Sequence, residues 1–172
     1  MDAHPYAKLA FQAVHHFLSK GKPLPCPSLI PDGMNRQSGA FVSIKKKTSR
    51  ELRGCIGTVA PNQDNLAKEI IQNAVNAATR DPRFKPVTIE ELNQLLFYVD
   101  VLTPLEPIDR PEQLNPRQYG LSIKYEGRQG ILLPDLEGID TVKKQIDLCL
   151  KKGNIKKNAA YRMYRFEVER YH

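Results

Sequence analysis

The chain has 172 residues, a net charge of +7 and a hydrophobic fraction of 41%, which are values of an ordinary globular domain. They exclude a disordered, collagen-like or coiled-coil chain, and no apolar run approaches the roughly 20 residues of a membrane span. The first residues lack the basic and apolar regions of a signal peptide, so we expect a soluble cytoplasmic protein that contacts no membrane.

Cysteine and histidine spacing argues against a metal centre. Three cysteines, Cys26, Cys55 and Cys149, are too few for a four-thiolate zinc or iron–sulfur site within one chain. The four histidines lack the spacing of a helical zinc pair, and the glycine-rich signatures of phosphate and dinucleotide binding are missing. We therefore expect neither a metal nor a cofactor.

The first half of the chain begins with an amphipathic helix, predicted at residues 5–20, where apolar residues recur at helical spacing and Gly21 marks the end. A proline-punctuated loop at residues 22–38, which includes Pro31, follows, and it is a candidate surface for partner proteins. The next predicted elements are strands at 39–47 and 51–59, a helix at 65–79 capped by Asn62 or Asn65, a short helix at 89–95 and a strand at 96–102.

The second half repeats that order. Strands are predicted at 119–124 and 128–133, a helix at 141–152 with Asp140 as its cap, and a final strand at 164–168. Strands joined by short turns favour an antiparallel or mixed sheet. The sequence therefore predicts a single α+β domain over residues 1–172 with packed helices and an internal duplication, two copies of strand–strand–helix–strand at about 39–103 and 119–172.

The second predicted strand holds the most unusual segment, in which Gly54 and Gly57 stand close to Arg53. Glycines weaken a strand and are tolerated where backbone must approach something closely, or at a bulge. Arg53 could hold a carboxylate or phosphate, with Gly54, Gly57 and Thr58 in the same wall. Cys55 is either a nucleophile or a small buried hydrophobic residue.

Asp81 and Arg83, which follow the second helix, are further site candidates. In a functional interpretation Asp81 orients Arg53, or acts as a catalytic group, and Arg83 contacts the substrate. In a structural interpretation an Asp–Arg ion pair locks the loop. The residues alone leave both interpretations open.

The C-terminal segment, residues 141–172, is strongly basic. It has nine Lys or Arg and three acidic residues, for a net charge of +6. Such a segment indicates an anionic partner such as RNA, or a solvated face that keeps the protein soluble. If RNA binds there, replacing Lys151, Lys152, Lys156 and Lys157 matters more than replacing Cys55.

Residues 52–57, Leu-Arg-Gly-Cys-Ile-Gly, resemble the hallmark of the AMMECR domain family, whose bacterial members are called AmmeMemoRadiSam system protein A. Further matches are Asp-Pro-Arg-Phe at 81–84, Val-Leu-Thr-Pro at 101–104 and Gly-Ile-Leu-Leu-Pro at 130–134. The resemblance covers nearly the whole chain and implies two pseudo-symmetric β-α-β repeats. It also implies association with Memo-like or radical-SAM proteins and a role in RNA modification.

Two functional hypotheses follow. The first is an enzyme, or the substrate-holding subunit of one, that binds an anionic small molecule, nucleotide or RNA in a cleft formed by the Leu-Arg-Gly-Cys-Ile-Gly segment. The second is a non-catalytic RNA-binding or protein-adaptor module that works with a Memo-like or radical-SAM partner.

Overall fold

The computed structural model describes residues 3–30 and 33–172, and the chain folds into two compact units. The first unit comprises residues 1–102 and 169–172, and the second comprises residues 103–168. Pro31 of the predicted partner loop lies outside the described residues, as do Met1 and Asp2.

Within its described residues, the first unit contains two helices and a four-stranded sheet. Its elements are α1 (Pro5–Lys20), β1 (Ala40–Lys46), β2 (Leu52–Thr58), α2 (Leu66–Thr79) and β3 (Leu95–Leu102), with a 3₁₀ turn at Leu92–Gln94. The strand order is β2-β1-β3, followed by the last strand of the chain, and β1 pairs antiparallel with both β2 and β3. Both helices pack on the sheet face where Val42, Ile44 and Val99 are fully buried.

Local signals account for both helices. Pro5 stands in the first turn of α1, and Gly21 ends the helix in the left-handed conformation while its N–H donates to the Phe17 carbonyl. In α2 the Asn65 side chain accepts a hydrogen bond from the Lys68 N–H. The predictions of helices at 5–20 and 65–79 are confirmed, with Asn65 as the cap.

The second unit has one helix and its own four-stranded sheet. Its elements are β4 (Glu106–Ile108), a 3₁₀ turn at Pro111–Gln113, β5 (Gly120–Tyr125), β6 (Arg128–Leu132), α3 (Val142–Lys152) and β7 (Arg162–Phe166). The strand order is β4-β7-β5-β6, and its pairings are antiparallel. Helix α3 packs on β5 and β6 over a core that includes Leu121, Ile123, Leu132 and Cys149.

The two units share a topology. In the first, the hairpin β1–β2 precedes α2 and β3, and the sheet order is β2-β1-β3. In the second, β5–β6 precedes α3 and β7, and the order is β6-β5-β7. This agreement confirms the predicted α+β class with pseudo-symmetric repeats. The predicted residue boundaries of an internal duplication stay a prediction.

Three predicted details are wrong, and one strand was missed. Thr141, not Asp140, caps α3, because the Thr141 hydroxyl accepts the Lys144 N–H while Asp140 pairs with the Lys144 ammonium. The single final strand is two strands, β7 and β8 (Val168–Tyr171), which belong to different sheets. The short helix predicted at 89–95 is only a 3₁₀ turn. Strand β4 was missed because it contains Pro107, which an edge strand tolerates.

Candidate functional site

The Leu-Arg-Gly-Cys-Ile-Gly segment forms β2, an edge strand of the first sheet. Gly54 faces α2, so alternation places Cys55 and Gly57 on the opposite face. We call the face that points away from α1 and α2 the outer face. Ser43 lies there beside Cys55, because the two are register partners on β1 and β2.

Arg53 is held by protein groups on several sides. The register moves from Ile44↔Gly54 to Lys45↔Leu52, which leaves Arg53 as the extra residue of a β-bulge. Its guanidinium donates to both carboxylate oxygens of Glu91, at 3.1 and 2.7 Å, and to the Lys85 carbonyl at 2.9 Å. The side chain is 13% exposed. Its predicted binding role stays a prediction, but its charge is already compensated by Glu91.

Asp81 pairs with Arg83, so the predicted orientation of Arg53 by Asp81 does not occur. Arg83 donates to Asp81 from Nε at 2.9 Å and from Nη2 at 2.7 Å. The buried Asp81 carboxylate also accepts the N–H groups of Cys55 and Arg83. Hydrogen bonding from the Arg83 guanidinium holds the pKa of Asp81 well below its usual range, against the opposing effect of burial. Asp81 therefore stays ionised and fixes Arg83 beside β2.

Arg83 itself remains accessible. Its side chain is 56% exposed, whereas that of Asp81 is 2% exposed. The guanidinium carbon lies 5.4 Å from the centre of the Phe84 ring, which further restrains the side chain. Nη2 also lies within 3.5 Å of the Cys55 carbonyl oxygen. The structure thus presents a fixed cation at the edge of the outer face.

Cys55 is half-buried, and its Sγ accepts a hydrogen bond from the Ser43 hydroxyl at 3.2 Å. Burial raises the pKa of the Cys55 thiol above its ordinary value, although Ser43 and Arg83 act in the opposite direction. No histidine hydrogen-bonds to Cys55 in the part of the chain that the structure describes. At neutral pH Cys55 is therefore a protonated thiol without an activating base.

We expect Cys55 to react slowly with iodoacetamide at pH 7, because the thiolate is the reacting form and its population is small. Because the pKa of Cys55 is raised, the rate should rise at a higher pH than that of a small-molecule thiol. Peptide mass spectrometry of the alkylated native protein measures this. Fast alkylation of Cys55 at pH 7, with Cys149 still unmodified, would contradict a raised pKa.

The glycines of β2 make room for the protein itself. A Cβ on Gly54 would lie 2.2 Å from the Ala77 carbonyl oxygen of α2, and one on Gly57 would lie 2.2 Å from the Phe41 ring. Both distances are far inside van der Waals contact. Close packing within the first unit therefore explains why these positions are glycine, and their contact with a ligand stays a prediction.

Thr58 points toward buried polar groups of α2. Its hydroxyl hydrogen-bonds to the carboxylate of Glu69 and accepts a bond from the Asn73 side chain at 3.1 Å. Glu69 also accepts the N–H groups of Asn62 and Gln63, which anchors the loop before α2. Glu69 was not predicted from the sequence. It could have been recognised because Glu69 and Asn73 form a polar pair at i and i+4 beside the apolar stripe of α2.

Other charged groups of the outer face were also missed. Asp100, whose side chain is 4% exposed, accepts bonds from Arg170 at 2.7 and 3.2 Å. The Lys45 ammonium lies 5.0 Å from the centre of the Tyr98 ring. Each side of the Cys55–Ser43 pair therefore carries an arginine bound to a buried aspartate.

Within residues 3–30 and 33–172, no three His, Cys, Asp or Glu side chains are grouped as a metal site would need. In the same part of the chain, no helix is long and apolar enough to cross a membrane.

The fold and the Leu-Arg-Gly-Cys-Ile-Gly strand define a class of α+β proteins with two antiparallel sheets. Comparison of the chain with known protein families identifies that class. The sequence profile of the AMMECR1 family matches residues 7–171, so the chain belongs to the AMMECR1 family.

Relatives and a solved structure agree with this assignment. A protein of Thermotoga maritima is 43% identical over 170 residues, which is 98% of this chain and 97% of that protein. Protein CA_C1420 of Clostridium acetobutylicum is 40% identical over 97% of this chain, which spans only 36% of that longer protein. The crystal structure of uncharacterized protein PH0010 from Pyrococcus horikoshii has a TM-score of 0.85 and 28% identity, over 96% of this chain and 88% of that chain.

Proposed function

We propose that the outer face of the first sheet binds the phosphate of a nucleotide- or RNA-like ligand, and that Arg83 makes the anion contact. The observation that carries this proposal is an exposed guanidinium fixed by a buried carboxylate. Nε and Nη2 of Arg83 bind Asp81, while Nη1 makes no hydrogen bond within the described residues. A guanidinium that is already ordered loses less conformational entropy when it binds a phosphate.

Binding rather than covalent chemistry fits the neighbouring groups. Cys55 is a neutral thiol, and the hydroxyl of Ser43 donates to it. Neither group has a general base in contact among the described residues. The protein would therefore hold the ligand, and a Memo-like or radical-SAM partner would supply the reaction.

The test is filter binding of a short single-stranded RNA at low and moderate salt. We expect Arg83→Ala to weaken binding by about tenfold or more, because a hydrogen bond to a charged group contributes roughly 1.5–3 kcal/mol. Wild-type binding should weaken as salt rises, since phosphate contacts release counterions. Lys85→Ala is the matched control, because Lys85 is an exposed cation in the same loop.

Arg83→Ala leaves Asp81 without its ion pair and so threatens the fold. A second variant, Asp81→Asn with Arg83→Gln, removes both charges together and keeps hydrogen-bonding groups in place. If this folded double variant binds RNA as tightly as the wild type, the outer face is not the binding site.

A specific observation favours a second candidate, RNA binding by the second unit. Lys124, Arg128, Arg162 and Tyr164 line a groove of about 530 Å³, and the Lys124 ammonium lies 5.2 Å from the Tyr164 ring centre. Cations beside an aromatic ring suit single-stranded RNA, because its bases stack on aromatic side chains and its phosphates bind cationic side chains. In contrast, Lys144, Lys157 and Arg165 of the basic segment are paired with acidic residues. Loss of RNA binding in Tyr164→Ala but not in the Arg83 variants would favour this candidate.

A further inference from the structure

We propose that a groove between α1 and the start of β3 binds a small amphipathic anion, an acyl or aryl chain that ends in a carboxylate or phosphate. This site lies within the first unit, is lined by residues other than those around Arg83, and goes beyond the proposed function.

The floor of the groove is apolar. Ala7 and Phe11 of α1 face Leu95, Leu96 and Phe97 of β3 across a volume of about 660 Å³. The rings of Phe11 and Phe97 pack edge to face with their centres 5.7 Å apart, which makes the floor rigid. A volume of this size accommodates a drug-sized ligand or a medium-length acyl chain.

The rim of the groove is cationic. Lys8, Lys47 and Arg50 line it, and none of its lining residues within the described part of the chain is acidic. None of the three is ion-paired with an acidic side chain of the described residues. Lys47 donates to the Asn93 carbonyl at 2.6 Å, and Arg50 donates to the Tyr98 hydroxyl at 3.0 Å, so neutral groups position these cations without cancelling their charge. An apolar floor under three cations that pair with no acidic side chain of the described residues is complementary to an amphipathic anion.

The backbone at Arg50 gives a second, independent observation. Arg50 has φ = 61°, in the left-handed region that glycine and asparagine occupy more readily. An arginine there costs stability relative to glycine. A role of the Arg50 side chain in the groove accounts for this loss of stability, because the side chain connects the β1–β2 turn to Tyr98 at the rim.

Calorimetry and backbone-amide NMR with four probes of equal chain length test the proposal. The probes are decanoate, decyl phosphate, 1-decanol and decylammonium, each kept below its micelle concentration. We expect decanoate or decyl phosphate to bind about tenfold or more tightly than decanol, and decylammonium not to bind. Comparison of decanoate with decyl phosphate identifies the preferred anion. The shifted amides should be those of residues 8–12 and 95–98.

Arg50→Gly and Lys8→Gln are the test variants, and each should weaken anion binding by about fivefold or more while decanol binding is unchanged. Arg50→Gly removes the cation and relieves the left-handed backbone, so it should not unfold the protein. Asn154→Gly controls for the backbone effect, since Asn154 has φ = 50°, and Lys20→Gln controls for net charge.

Three results would overturn this inference. They are equal binding of decanoate, decanol and decylammonium, unchanged decanoate affinity in both test variants, and a dimer in sedimentation whose formation shifts the amides of the groove residues without any added probe. Failure of the RNA test would not affect it, because Arg83→Ala should leave decanoate binding intact.

Discussion

Gly54→Ala is expected to destabilise the protein by about 3 kcal/mol or more, because overpacking against backbone leaves little room for relaxation. The new Cβ would meet the Ala77 carbonyl oxygen at 2.2 Å, and that oxygen belongs to the backbone of α2 rather than to a flexible side chain. Either the helix must move off β2 or the edge strand must bend. Urea unfolding followed by circular dichroism measures the loss.

Two glycines provide the comparison for Gly54→Ala. Gly130→Ala should be at least as damaging, because its Cβ would lie 1.8 Å from the Cys149 carbonyl oxygen of α3, the equivalent contact in the second unit. Gly21→Ala meets no atom within 4 Å and should cost only about 1 kcal/mol, through its positive φ. If Gly54→Ala cost no more than Gly21→Ala, the close approach of β2 and α2 would be wrong.

Asp81→Ala is expected to cost about 1–3 kcal/mol, because it leaves part-buried backbone N–H groups without an acceptor, whereas the exposed Arg83 can be solvated. The variant removes the acceptor for the Cys55 and Arg83 N–H groups together with the bidentate bond to Arg83. The same measurement of unfolding free energy applies. Asp64→Ala is the control, because that carboxylate is 84% exposed and its pair with Lys68 contributes little.

The pH dependence of stability gives an independent check on Asp81. The pKa of Asp81 is lower in the folded protein than the unfolded value of about 3.9. Its contribution to the free energy of unfolding is therefore fully present above that pH. The contribution is lost as the pH falls through the depressed folded pKa. Wild type should therefore lose more stability than Asp81→Asn between about pH 4 and pH 2. Parallel curves for the two proteins would show that Asp81 is not held ionised.

The extents of the helices were predictable from sequence because their signals are local. The apolar stripe of α2, the Asn65 cap and Gly21 after α1 each act within one or two turns of chain. Strand β3 was predictable for the same reason, since its burial follows from an almost continuous apolar run. Strand β8 was missed because it joins the first sheet, and partners distant in sequence leave no local pattern.

Only part of the membership of the candidate site was predictable. Arg53, Cys55, Asp81 and Arg83 do gather around β2, as the hallmark segment indicated. Their partners were not predictable, because Glu91 reaches Arg53 across 38 residues and Arg170 reaches Asp100 across 70. Ion pairing depends on which side chains the fold brings together, and several carboxylates were available to each arginine.

The sequence by itself determined the α+β class, the two repeated hairpin–helix–strand units and the family, because periodicity, caps and the Leu-Arg-Gly-Cys-Ile-Gly segment are all written within short stretches. Only the tertiary structure decided that Glu91 pairs with Arg53, that Asp81 fixes an exposed Arg83, and that Cys55 is a half-buried neutral thiol. These properties depend on distance and burial, which arise when remote segments pack together.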